Sequence, residues 1–201
     1  MTHRSEPIGA SSTSGLFLRR SSWRGVSGVR LSVAALALLI AAHASAAFNM
    51  TGERAVSFKA VGPGGLSIVG NGNDVGVKDQ GEHVSIVVRL SSLKTGIALR
   101  DKHMRERYLE TQKYPNAILD VPRSKVVLPT KGTDVDGKLT LHGVTKPVRV
   151  HYEATGSSAK AQVAGSLRIN MNDFGIAVPN YLGVTVKPNV DISVKFEVQD
   201  R

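Results

Sequence analysis

The chain predicts an antiparallel all-β domain of about eight strands with one short helix, a barrel or a sandwich. Three observations lead there. Lys138 to Tyr152 reads as a hairpin, with Leu139 and Leu141 alternating with Thr140 and His142, then Val148, Val150 and Tyr152 alternating with Arg149 and His151. Val190, Ile192, Val194, Phe196 and Val198 alternate with Asp191, Ser193, Lys195 and Glu197, which is one apolar and one wet face. The remaining apolar segments are short and sequence-local, which fits a meander rather than parallel crossovers.

The N-terminal part is of another kind. Arg4, Arg19, Arg20, Arg24 and Arg30 stand against a single acid, Glu6, and are followed by the apolar run LSVAALALLIAA from Leu31 to Ala42. Ala44-Ser45-Ala46 then supplies a small-x-small site. A basic start, a short apolar core and such an end are the parts of an export signal. The core falls short of the ~20 residues a spanning helix needs. Residues 1–46 are therefore expected to be a signal peptide cleaved near Ala46, with 47–201 as the working domain and a periplasmic or secreted location. Arg19-Arg20 admits a twin-arginine route, though the general route suits the leader better.

The whole chain carries a net charge of +10; the part after residue 46 holds 21 basic against 15 acidic residues. These charges are scattered singly along strands, whereas a nucleic-acid binder concentrates them on one face. No nucleic-acid partner is expected, and transient contact with an anionic membrane surface is compatible with the balance. With no cysteine, thiol catalysis, cysteine-ligated zinc and a lipoprotein anchor are excluded.

Along the domain, Arg54 to Ala60 reads as a strand through Val56, Phe58 and Ala60. Gly62 to Gly76 reads as glycine-rich turns and bulges, since it lacks the lysine and the helix of a phosphate loop. His83 to Leu90 is a strand with Val84, Ile86 and Val88 on one side. A helix is expected from Asp101 to Gln112, with Asp101 as its N-cap and Met104 and Tyr108 on one face. Asn116 to Val121 and Lys125 to Leu128 read as strands, and Pro129 to Gly137 as a polar loop. The central hairpin should turn through Gly143 to Lys146, with Pro147 opening the return strand because it cannot donate to a ladder. Ala159 to Met171 gives one or two strands with Leu167 and Ile169 in phase, and Asn172 to Pro179 a turn.

Inward positions are mostly slim aliphatics, and an eight-stranded barrel is about the size that can hold one ligand. Candidate lumen residues by alternation are Val56, Phe58, Val84, Ile86, Val88, Leu139, Leu141, Val150, Leu167, Ile169, Ile192, Val194 and Phe196. Arg100 and His103 at the helix start are candidates for a polar headgroup; Asp101 capping the helix with Arg100 as its ion partner is the alternative. His142 suits a turn-fixing hydrogen bond better than a ligand contact. His83, His103, His142 and His151 lack zinc spacing, so no metal is expected. No G-x-S-x-G or paired nucleophile and base stands out, and no enzyme activity is expected.

Four segments in order carry a resemblance: Arg100-Asp101-Lys102-His103-Met104, Lys113-Tyr114-Pro115, Leu139 through Val148, and Asp173-Phe174-Gly175-Ile176. Together they resemble the YceI-like family. The resemblance implies a lipocalin-like antiparallel barrel, exported and non-enzymatic, that encloses a polyisoprenoid chain (a polyprenyl lipid or isoprenoid quinone) for storage or transport, with no cofactor besides that lipid. The chain departs from the family in having Asn170-Met171-Asn172, where an arginine commonly precedes the Asp-Phe-Gly segment. The alternative is a ligand-free β-sandwich serving as a stress-associated interaction module.

Overall fold

The computed structural model describes residues 47–181 and 184–200. The expected signal peptide, its cleavage site and Arg19-Arg20 lie outside these residues. Among the described residues no helix is long and apolar enough to cross a membrane.

The chain folds into one antiparallel sheet of nine strands that curls into a nearly closed barrel. The strands are β1 (Phe48–Val61), β2 (Ser67–Gly72), β3 (Val75–Asp79), β4 (His83–Arg89), β5 (Asn116–Pro122), β6 (Thr130–Leu141), β7 (Val144–Gly156), β8 (Lys160–Asn170) and β11 (Asn189–Asp200). Their order is β2-β1-β11-β8-β7-β6-β5-β4-β3, with a separate ribbon of β9 (Asn180–Tyr181) and β10 (Val184–Thr185). The curl brings the two sheet edges together. β2 covers β1 only from Val56 to Val61. Along the rest of β1, Arg54 Nη1 donates to the Val75 carbonyl of β3 at 3.0 Å, and the Phe48 amide donates to Asp79 Oδ2 at 3.2 Å. One sheet whose two edges meet is a barrel, which decides against the sandwich.

Alternation places the core as expected. Val56 and Ala60 on β1, Leu139 and Leu141 on β6, Val150, Tyr152 and Ala154 on β7, and Val190, Phe196 and Val198 on β11 are all buried on the inner face. β1 bends at a register shift between Thr51 and Ala55, where Gly52 takes φ 66°.

Several local expectations are corrected. The glycine-rich segment forms two strands, β2 and β3, after a tight turn at Pro63–Gly65. Gly70 lies in β2 because a Cβ there would stand 2.2 Å from Phe58 Cε1; the missing side chain is the space the phenylalanine ring fills. The stretch Thr130 to Gly137 is strand, paired with β7 down to Thr130↔Ala154, although only Val135 within it looked apolar. Lys125 to Leu128 is an irregular segment after a turn at Arg123–Lys125.

The hairpin turns at His142 and Gly143, with φ 53° and 77°, not at Gly143 to Lys146. Two central residues with positive φ make the tight connection whose twist matches the flanking strands. Pro147 is consequently inside β7, opposite Lys138. Counting from the hydrogen-bonded closing pair Leu141↔Val144, the Lys138↔Pro147 pair is a non-bonded one, so the proline nitrogen faces away from β6. That side is unpaired, since β7 meets β8 only from His151↔Ser166 onward.

The helix runs from Ala98 to His103 and continues as one wide π-turn over Met104–Tyr108. Asp101 is inside it and buried, not its N-cap. The helix, the turn at Met171–Phe174 and the His142-Gly143 turn all sit at one end of the barrel, where β5, β7 and β11 begin and β4, β6 and β8 end.

Candidate functional site

The barrel interior holds an apolar cavity of about 80 Å³, in the half away from the helix. Val84 and Ile86 of β4, Leu119 and Val121 of β5, Val150 of β7, Val163 of β8, and Val194, Phe196 and Val198 of β11 line it. Every lining group is aliphatic or aromatic apart from the Tyr152 hydroxyl, which is engaged elsewhere. Such a space offers water no hydrogen-bond partners and suits hydrocarbon. Its volume is well below the ~300–1,000 Å³ of typical small-molecule sites, so a long chain requires the walls to give.

The mouth of this half is stopped by the chain itself. β5 and β6 pair only from Ile118↔Thr140 to Asp120↔Lys138 and then part. The segment Arg123–Pro129 crosses there, turning Val126 and Leu128 into the cavity. The Tyr152 hydroxyl accepts from the Val127 amide at 2.8 Å and donates to the Val127 carbonyl at 3.2 Å, pinning the segment from inside. Beside it, the Arg123 guanidinium stacks 3.9 Å over the Phe48 ring and meets Asp79 Oδ2 at 3.2 Å. Burial pushes the Asp79 carboxyl up, but the amides of Gly81 and Phe48 and the Arg123 charge outweigh it and hold it below the usual carboxylate range.

A second, larger space lies in the wall at the helix end. Above His151↔Ser166 the strands β7 and β8 splay, and a cleft of about 760 Å³ opens between them, lined also by residues of β11 and by Phe174. It is lined by apolar Val148, Leu167, Ile169 and Ile192 and by charged and polar groups of the strand edges. Arg168 Nε meets Asp191 Oδ1 at 2.6 Å, His151 Nδ1 meets Asp134 Oδ1 at 2.8 Å and Arg149 Nε meets Asp136 Oδ1 at 3.2 Å. The first pair raises the Arg168 pKa and lowers that of Asp191 through their mutual hydrogen bond.

The alternation candidates therefore divide. Val84, Ile86, Val150, Val194 and Phe196 line the cavity. Leu167, Ile169 and Ile192 lie on the cleft. Val56, Leu139 and Leu141 are buried core, and Phe58 and Val88 pack against it. Leu119, Val121, Val126, Leu128 and Val163 line the cavity without having been singled out; Val163 was in phase with Leu167 and Ile169, whereas Val126 and Leu128 lie on irregular chain with no periodicity to read.

Arg100 and His103 line neither space. Arg100 donates from Nε to Thr95 Oγ1 at 2.7 Å and from Nη2 to the Thr95 carbonyl at 2.9 Å. Asp101 Oδ1 accepts from the Thr95 amide at 2.7 Å and from its hydroxyl at 2.5 Å. The Thr95 hydroxyl, foremost, lowers the Asp101 pKa. Arg100 and Asp101 thus staple the helix to the loop before it, and His103 is exposed.

The other quoted segments meet at the same end of the barrel. The rings of Tyr114 and His142 are 4.7 Å apart, and His142 Nδ1 lies 3.2 Å from the Phe174 carbonyl, which it reaches as donor. A Cβ on Gly143 would come within 2.6 Å of Tyr114 Cε1. His142 is a turn-fixing residue by this geometry. Its Nε2 is buried 3.4 Å from Glu110 Oε2, out of line for a hydrogen bond. Among the described residues no group of acidic and histidine side chains is placed to hold a metal.

Known proteins agree with this architecture. A UPF0312 protein of Pseudomonas savastanoi pv. phaseolicola is 33% identical over 127 residues, covering 60% of this chain and 64% of its own. The chain thus spans less than two thirds of the length of that curated relative. Among solved structures, a polyisoprenoid binding domain from Saccharophagus degradans superposes with a TM-score of 0.62 at 17% identity, covering 78% of this chain and 99% of that one. Burkholderia cenocepacia BcnA gives 0.59 at 18% identity, with 72% and 95% covered. These likenesses show a shared barrel. The YceI-like domain model matches residues 39–198, and so takes in every strand from β1 to nearly the end of β11: this chain belongs to the YceI-like family.

Proposed function

We propose that this protein binds a long isoprenoid chain, a polyprenyl lipid or isoprenoid quinone, with the apolar tail inside the barrel. The observation that carries this reading is the dry, wholly apolar cavity ringed by β4, β5, β7, β8 and β11, in a fold shared with a polyisoprenoid binding domain. Each methylene held there is spared about 0.8 kcal/mol of exposure to water, so a chain of many isoprene units gains far more than the contacts of its head. The role is binding rather than catalysis; membership of the YceI-like family and likeness to a polyisoprenoid binding domain support that. The basic, then apolar, then small-residue leader supports export and a periplasmic or secreted site of action, with the lipid stored or carried across an aqueous space.

A second reading is favoured by the size of the cavity: at about 80 Å³ the interior is close to filled, as in a ligand-free interaction module. Native mass spectrometry of the protein purified from its own host, followed by solvent extraction, separates the two. One stoichiometric isoprenoid species is the expected result. A protein that arrives empty and refuses added isoprenoids would establish the ligand-free module.

A further inference from the structure

We propose that the cleft between β7 and β8 is a second subsite of the lipid site and seats an uncharged, oxygen-bearing head. The inference rests on the isoprenoid reading and adds to it where the head lies and of what class it is.

Position comes first. Val148, Leu167 and Ile192 on the cleft each stand two residues from Val150, Gly165 and Val194 on the cavity, along three different strands. Residues two apart on a strand share a face. The apolar base of the cleft is therefore the continuation of the cavity wall, and a chain passing from one to the other stays on hydrocarbon. At about 760 Å³ the cleft has the volume the cavity lacks, within the range of small-molecule sites. Pro147 faces it with a nitrogen that carries no proton, so β7 offers one donor fewer along this edge.

The charges decide the class of head. Arg168, His151 and Arg149 each stand within 3.2 Å of a carboxylate, on Asp191, Asp134 and Asp136. A phosphate entering here would compete for cations with carboxylates that remain beside it and repel it. An uncharged carbonyl or hydroxyl needs no such exchange. Ser166 and Ser193, opposite each other across the β8–β11 ladder and both on the cleft, offer it hydroxyls; Lys146, which has no partner among the described residues, offers a donor.

The test measures equilibrium binding of three probes to the full-length protein: squalene, which has no head, and a quinone and a diphosphate on the same four-isoprene tail. The quinone is expected to bind at least about ten-fold more tightly than the diphosphate. Ser166→Trp, which fills the cleft from its outer side, is expected to weaken the quinone at least about ten-fold and to leave squalene within about two-fold. Ser193→Phe, from the neighbouring strand, gives the same pattern should the first variant fail to fold by circular dichroism. Quinone binding untouched in a folded variant overturns the cleft as head subsite, and a diphosphate that binds more tightly overturns the uncharged class. If wild-type protein takes none of the three, the isoprenoid reading itself falls, which the squalene arm makes recognisable.

Discussion

The β5–β6 and β7–β8 ladders of the barrel wall both stop short, and the chain treats the two gaps differently. Between β5 and β6 the ladder ends after Asp120↔Lys138, and the protein's own segment Arg123–Pro129 fills the gap, with Val126 and Leu128 turned inward and Val127 held by Tyr152. Between β7 and β8 the ladder ends at His151↔Ser166, and the gap is left as a cleft with ion-paired rims. The strand separation is alike; the difference is what the next stretch of chain does. A detached wall strand exposes apolar side chains to water; the chain covers them at the first gap and leaves Leu167 and Ile192 on an open cleft at the second. On the isoprenoid reading proposed above, the β7–β8 side is the approach for a ligand and the β5–β6 side a stopper.

One substitution made on both sides should give the largest difference. Ile86→Asp puts a carboxylate into the dry cavity, and we expect a loss on the order of 4 kcal/mol, most of the stability of a domain at the low end of the ordinary range. Ile192→Asp places the same group on the cleft, where water reaches it, and should cost about 1–2 kcal/mol. Urea denaturation of the two variants reads the contrast; equal losses would mean that the cleft is as dry as the cavity.

The stopper side should also be the acid-sensitive one. Asp79 has a side chain 2% exposed and a pKa held low in the folded state. A depressed carboxylate stabilises above its unfolded pKa, and that contribution disappears as pH falls through the folded value, here below about pH 4. Asp79→Asn should lower stability by about 1–3 kcal/mol at neutral pH and flatten the acid limb of the pH profile. An acid limb unchanged in the variant would assign the sensitivity elsewhere.

A smaller effect is expected of Tyr152→Phe, which keeps the ring and removes the hydroxyl bonded to both backbone groups of Val127. It should cost about 1–2 kcal/mol and speed hydrogen exchange at the Val127 amide, loosening the stopper toward the state of the open gap. Smallest of all is Arg168→Gln. Its pair with Asp191 is exposed on both sides, so unfolding midpoints should stay within measurement error at physiological salt.

The long strands were legible because one apolar and one polar face repeat every second residue, as in Val190 to Val198. Where glycine stands on the inner face the pattern vanishes: β2 carries Gly70 and Gly72 inward, which sequence reading takes for turn. The first half of β6 was missed because its inward positions are Thr133, Val135 and Gly137, too little grease to see. The Arg100-Asp101 pair drew attention as a charged cluster, yet both side chains are spent on Thr95, a partner five or six residues away that no periodicity marks. The cleft was illegible for a deeper reason. It depends on where two ladders stop, and register between strands is set by the whole barrel rather than by either strand alone.

The proline inside β7 carries one more consequence. Along Val144–Val150 that strand presents an edge with no neighbour, the kind of surface on which a strand from another molecule can dock and begin a stack. A ladder across this edge would lack a donor at Pro147 and would meet the charges of Lys146 and Arg149 on either side. Replacing Pro147 with valine would restore the donor, and concentrated solutions of that variant should associate edge to edge, visible as a rising light-scattering mass, while the parent chain does not.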